Sequence, residues 1–332
     1  MTATHLLVGN PTAQSGKNAE RIERAVRGLS AAGVGCDVLP TLPGGATIAA
    51  VAERLRSGAY RCVVAMGGDG TFREVASGLL DSGRAEDVAM GMLPTGTAND
   101  QGRSFGLDAG DAALDDNVRV VVVGRETRLD AGRLRTAGPP AWFFDSAGWG
   151  ISARVLRARN EDRAAVDEYA PALKALYRDQ LVYAGALLRV FLESYVVDDT
   201  FAVEVEADGR SSSLVGLTDL IVKGTRVYGG AWVLDRTSRH DDGLFEVVPF
   251  QGKLDWTSKA IVDLDGNPVT EALLNSIGVE HSHPFRASRL SLRFTWPTGG
   301  VSPAAQLDGE ETPATDSALI EVVPRVIRLV VK

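Results

Sequence analysis

The sequence predicts an α/β domain with a parallel sheet over residues 1–130, followed over 131–332 by a mainly antiparallel β-sandwich domain with a helical insertion. Three observations carry this reading. The first third alternates short apolar runs with segments of helical period. Two polar, glycine-bearing loops, Gly67–Thr71 and Thr95–Asp100, directly follow such apolar runs. Beyond about residue 200 the chain changes to short β-rich segments, separated by turn signals such as Asp208-Gly209 and Asp242-Gly243.

Leu6-Leu7-Val8 forms the first strand and opens into a loop from Asn10 to Gly16. The following helix carries Ala19, Ile22, Val26 and Leu29 on one face and closes at Gly33. A strand near Cys36–Leu39, a helix over Ile48–Arg56 and a strand over Tyr60–Met66 come next. After the glycine turn, Val75 and Leu79 lie one turn apart on a helix, and the strand Val88–Leu93 is cut by Pro94. This β-α-β-α-β rhythm implies a parallel sheet covered by helices, with every loop after a strand opening on one edge. Val118–Val123 and Thr127–Leu134 read as strands around a turn at Gly124-Arg125, and the stretch from 151 to about 197 reads as helical. Phe201–Val205, Leu214–Val222, Leu244–Val248, Leu290–Phe294 and Ile327–Val331 read as the later strands.

A chain of 332 residues has room for two cores. Its 45% hydrophobic and 23% charged residues are those of a globular protein, and a net charge of -8 argues against a nucleic-acid partner. Cys36 and Cys62 fall in expected buried strands, and so read as free thiols in a reducing compartment. Leu6-Leu7-Val8 is too short for a signal peptide, and the run Leu181–Leu192, broken by Arg189, falls short of the roughly 20 residues of a membrane span. The expectation is a cytoplasmic protein, with a homodimer left open.

A glycine-dense turn between a strand and a helix brings backbone N–H groups close to an anion, and the helix N-terminus adds partial positive charge. An acid inside such a turn, Asp69, calls for a cation between it and the phosphates. Gly67-Gly68-Asp69-Gly70-Thr71 therefore points to nucleotide phosphates with Mg²⁺. The competing reading is a tight left-handed turn with Asp69 as helix N-cap. In the second loop Thr97, Asn99 and Asp100 offer a hydroxyl, an amide and a carboxylate, a set that suits phosphate, purine or metal-bound water as well as an ordinary polar loop.

Together, G-G-D-G-T at 67–71 with Glu74-Val75 behind it and L-P-T-G-T-A-N-D at 93–100 resemble the diacylglycerol kinase catalytic family, which includes bacterial soluble lipid kinases, sphingosine kinases and ceramide kinases. Asn10-Pro11 with Ser15-Gly16, Leu129-Asp130-Ala131-Gly132, Ala147-Gly148-Trp149-Gly150, Tyr228-Gly229-Gly230 with Asp241-Asp242-Gly243-Leu244, and Asp308-Gly309-Glu310 follow in the family's order. The resemblance implies an α/β domain like those of NAD kinase and phosphofructokinase, and transfer of the ATP γ-phosphate to a lipid hydroxyl. By position it implies that Gly67, Gly68, Gly70, Thr71, Asn10, Thr97 and Asn99 contact ATP and that Asp69 positions Mg²⁺. Asp100 and Asp130 would extend the metal network, Asp242 would match a structural metal position, and Glu310 would orient or deprotonate the acceptor hydroxyl.

The chain departs from the family at Gln101-Gly102, where an aromatic-Ala pair is usual, at Ala231, and at Asp235–Ser238. Many relatives follow their last strand with a further segment that returns to the first domain; with the last expected strand ending at Lys332, the expectation is that this docking is missing. Arg154, Val155 and Leu156 stand where sphingosine kinases place an acid for the substrate amine, which favours diacylglycerol, converted to phosphatidic acid, with ceramide as the alternative. A lipid acceptor implies peripheral contact with a membrane. Lys17, Arg21 and Arg24 form a basic stripe suited to anionic headgroups, or else a solvated helix face, and Leu181–Leu192 would line an acyl pocket or a core helix. An NAD-kinase-like small-molecule kinase and a non-catalytic lipid- or nucleotide-binding homologue are the other readings. Gly9–Lys17 lacks the spacing and the Ser/Thr of a Walker loop, His281-Ser282-His283 has no nearby partners for zinc, and Gly148-x-Gly150 lacks a third glycine.

Overall fold

The buried runs at the start of the chain become parallel strands whose two faces are both covered by helices. In the computed structural model, residues 4–96, 99–158, 200–228, 238–252, 283–298, 300 and 302–332 are described. The first part contains β1 (His5–Gly9), α1 (Lys17–Ala31), β2 (Cys36–Pro40), α2 (Ala46–Ser57), β3 (Cys62–Gly67), α3 (Asp69–Asp81), β4 (Ala89–Pro94), α4 (Asp100–Ser104) and α5 (Leu114–Val123). β3 pairs in parallel with β1 and β4, and β1 with β2 at the edge. Alternate residues serve the two faces. Leu6, Val8, Val63 and Ala65 pack with Val51, Val75 and Leu79 of α2 and α3, while Leu7, Val64 and Met66 pack with Ile22 and Leu29 of α1 and Val118 and Val121 of α5.

Two expectations are corrected here. Val118–Val123 is the end of helix α5, not a strand. Its β-branched run favours a strand locally, but Leu114, Val118 and Val121 fall at helical spacing and bury against α1 and the sheet, and that burial outweighs the propensity. The turn at Gly124 accordingly joins a helix to a strand. Cys36 is only half-buried, because β2 is an edge strand, while Cys62 on β3 is buried as expected; both are free thiols.

The second part contains β5 (Arg125–Arg135), β6 (Ala141–Phe143), β7 (Ser146–Gly150), a helical turn region at 151–158, β8 (Phe201–Ala207), β9 (Arg210–Lys223), β10 (Phe245–Gln251), β11 (Phe285–Ala287), β12 (Arg289–Thr295), β13 (Ala305–Leu307), β14 (Glu310–Thr312) and β15 (Ser317–Val331). Neighbours here are antiparallel, around a core holding Phe143, Trp149, Phe201, Phe245 and Phe294. β15 belongs to both halves. Its first residues pair with β12 and put Ile320 into the second core. After an irregularity between Val323 and Ile327 it continues along β5, meets β4 in parallel at Leu329↔Met90, and places Ile327 and Leu329 in the first core.

Most of the expected helical insertion, with Leu181–Leu192, lies outside the described residues, as do Thr97, Gly229, Gly230, Ala231, Asp235 and His281. Among the described residues no helix is long and apolar enough to cross a membrane.

Candidate active site

The loops after β1, β3 and β4 share the carboxyl edge of the parallel sheet, as a parallel topology requires. β3 ends at Gly67, and α3 starts at Asp69 with Gly68 as its N-cap and no side-chain cap bond. Asp69 is thus not a cap. Its Oδ1 instead accepts the backbone N–H of Gln101 at 3.2 Å, tying the glycine turn to the second loop. Burial pushes the Asp69 carboxyl above its ordinary range, and the backbone N–H groups of Gln101 and Asp100 pull it back.

The glycines allow the loops to approach one another. A Cβ on Gly67 would lie 2.3 Å from the Thr71 hydroxyl, and one on Gly96 would lie 2.5 Å from Gly68 Cα. The Thr95 N–H donates to Gly67 O at 2.9 Å, so the two turns lie side by side. Asn99 has a positive φ of 54° and spends its amide on its own loop, with Oδ1 accepting from Gly96 N and Nδ2 donating to Gly96 O. Asn10 also works locally: its Oδ1 accepts the N–H and hydroxyl of Thr12, and its carbonyl accepts from Asn18 Nδ2. Thr71 lies half-buried in the first turn of α3.

Glu310 arrives from the other half. The β13–β14 hairpin turns through Asp308 (φ 47°) and Gly309 (φ 75°), and Glu310, exposed, opens β14. A Cβ on Gly70 would sit 3.0 Å from Glu310 Oε1, so the first turn of α3 and this carboxylate lie in near contact. The sequence-predicted Asp69, Gly70 and Glu310 therefore belong to one site.

Two carboxylates in this site were not foreseen. Asp308, buried, accepts the backbone N–H groups of Phe144, Asp145 and Ser146 and so pins the hairpin to the start of β7. Burial pushes its carboxyl up to about 6, against the charge of Arg73. Asp145, also buried, accepts the hydroxyls of Thr225 and Ser146. Burial raises its carboxyl well above the ordinary range, and the charges of Asp100, Asp308 and Asp69 add to the shift. Nothing in the local sequence distinguished Asp145 from a loop acid; Asp308 was visible only as the first letter of its motif.

Asp130 and Asp242 face a different set. Asp130 accepts the N–H groups of Gly243 at 2.7 Å and Arg325 at 2.6 Å, and its charged neighbours are Asp242 and Asp241. Asp242 accepts from Leu244 N. Among the described residues no group of three or more His, Cys, Asp or Glu is placed to hold a metal ion.

The arrangement nevertheless fits a nucleotide phosphate. The first N–H groups of α3 carry no side-chain cap, Gly67, Gly68 and Gly70 leave the turn without side chains, and half-buried Arg73 has its Nε buried without a partner. Magnesium commonly binds through one or two carboxylates plus phosphates and water, which Asp69 beside such phosphates would satisfy. Gln101, at the family departure, is 2% exposed, and both amide atoms lack partners. It shares a small cavity beneath the turn with Ala65, Gly68, Asp69, Phe72 and Met92. Of the basic stripe, Arg21 and Arg24 pair with Asp111 and Asp115.

Residues 4–134 match the model of the diacylglycerol kinase catalytic domain. A diacylglycerol kinase structure from Bacillus anthracis str. Sterne aligns with a TM-score of 0.68 at 16% identity, covering 100% of this chain and 97% of the other. Another structure assigned to that activity in the same organism aligns with a TM-score of 0.70 at 18% identity, covering 100% and 98%. No curated protein matches the sequence. Residues 4–134 thus match the diacylglycerol kinase catalytic domain, and the whole chain shares the fold of structures assigned to that enzyme class.

Proposed function

We propose that this protein is an ATP-dependent lipid kinase that phosphorylates diacylglycerol to phosphatidic acid. The observation that carries the reading is the meeting of Gly70, on the uncapped first turn of α3, with Glu310 from the opposite half. A phosphate-binding turn and a carboxylate base within contact distance are what phosphoryl transfer to an alcohol asks for. The catalytic-domain match and the names of the structural relatives support the activity and the acceptor class.

In this reading Gly67, Gly68, Gly70 and Thr71 bind phosphate oxygens through the turn and helix N-terminus. Mg²⁺, when bound, would neutralise phosphate charge, with Asp69 as its protein carboxylate. Asp69 also fixes the second loop through Gln101 N. Glu310 orients the acceptor hydroxyl and takes its proton. Asp308 and the backbone it binds hold the Glu310 hairpin in place.

The test is γ-phosphate transfer from Mg-ATP to mixed micelles of diacylglycerol, ceramide, sphingosine or monoacylglycerol. Asp69→Asn and Glu310→Gln run beside wild type. The expected result is phosphatidic acid from wild type and a loss of at least about a hundredfold in each variant. Phosphorylated ceramide instead would move the acceptor. No lipid product despite nucleotide binding would overturn the activity.

A further inference from the structure

Arg73 is a charged side chain in the site that neither the fold nor the roles above employ. It stands one turn after Asp69 on α3, half-buried, with its Nε buried and no hydrogen-bond partner. Two acids lie in its field, Asp308 and Glu74, yet neither receives its hydrogen bonds. The Asp308 carboxylate is filled by three backbone N–H groups from Phe144, Asp145 and Ser146.

Helical side chains lean toward the N-terminus of their own helix, which for Arg73 is the glycine turn. The Asp308–Glu310 hairpin stands close enough for the Arg73 charge to act on Asp308 and for Glu310 to reach Gly70. Arg73 thus stands one turn after Asp69 on the helix that the glycine turn opens, with the Asp308–Glu310 hairpin within reach of its charge. An arginine offers a planar fork of donors matched to a phosphate's oxygens, and a buried donor without a partner awaits an acceptor of that kind.

The geometry points to Arg73 as the residue that binds the terminal phosphoryl group, either the γ-phosphate of the nucleotide or the phosphomonoester of the lipid product. This rests on the kinase reading and assigns its phosphoryl subsite to a residue outside the glycine turn. The chemistry is the same for both sources, and the experiment separates them.

Binding is measured by calorimetry for wild type, Arg73→Met and Arg73→Lys, with Mg-ADP and with the non-hydrolysable Mg-β,γ-imido-ATP. Binding to phosphatidylcholine vesicles with and without phosphatidic acid is measured in parallel. The expected result is a loss of about tenfold for the imido nucleotide in Arg73→Met, with Mg-ADP held within about twofold and partial recovery in Arg73→Lys. If the lipid phosphomonoester is the partner, nucleotide affinities stay level and the gain from phosphatidic acid in the vesicles disappears. Equal losses for both nucleotides, or unchanged binding of every probe, overturn the assignment to Arg73 alone. Wild type that binds none of the probes overturns the kinase reading as well. Should Arg73→Met fail to fold, Arg73→Gln, which also removes the charge, carries the same comparison.

Discussion

Gly70 and Glu310 come from opposite ends of the chain, and the space that Gly70 leaves empty is where the Glu310 carboxylate stands: an added Cβ would meet Oε1 at 3.0 Å. Gly70→Ala therefore has opposite effects on stability and activity. Alanine suits a helix better than glycine by about 0.5–1 kcal/mol, and a flexible glutamate tip can move aside. Thermal stability is expected to hold or rise slightly while kcat falls at least about tenfold. A parallel decline of melting temperature and kcat would defeat this account.

Gln101 buries both polar ends of its amide without a partner in the cavity under the turn. Methionine has nearly the same shape and nothing to satisfy, and the Gln101 backbone N–H would still reach Asp69. Gln101→Met is expected to stabilise the fold by about 1–2 kcal/mol, read as a higher urea midpoint at constant m. Destabilisation would show that an ordered water already meets the amide.

The buried acids give a pH signature in protein free of divalent metal. Asp308 titrates near 6 when folded against an ordinary 3.8. Its contribution to stability is fully present below about pH 4 and is lost as the pH rises through about 6. Asp145 is shifted in the same direction, so it works the same way. Asp145→Asn is therefore expected to raise the melting temperature at pH 7.5 by about 2–4 °C and by less at pH 5. An equal change at both values would remove ionisation from the explanation.

Asp130 holds two backbone N–H groups, one from Arg325 at a positive φ of 55° where β15 bends. Asp130→Ala strands both donors and is expected to cost about 2–4 kcal/mol, with Asp130→Asn costing about half as much. Chelator treatment of wild type that reproduced the alanine loss would instead make this carboxylate a metal ligand.

The strands of the first half were legible because burial on both faces leaves unbroken apolar runs, as at Val63–Ala65. The glycine turn and Glu310 were legible as motifs, and Gly70 against Glu310 brings them into one place. Val118–Val123 was misread because β-branched residues favour strands locally, while the packing partners that made a helix, α1 and β4, are distant in sequence. Asp145 and Arg73 were invisible for a related reason. One is defined by burial among other acids and the other by a missing partner, and both properties exist only after folding.

β15 also bears on how the chain reaches its folded state. Met90 on β4 receives its neighbour from Leu329, so the fourth strand of the parallel sheet stays open on one side until the residues around 329 have been made. Loops of that length close slowly, and an open strand edge invites pairing with other chains. During synthesis the first half would therefore leave the ribosome with an unfinished sheet, and the pairing that completes it would come late, together with the seating of the Glu310 hairpin. The first turn of α3 and the Glu310 carboxylate would then come together in that same late step.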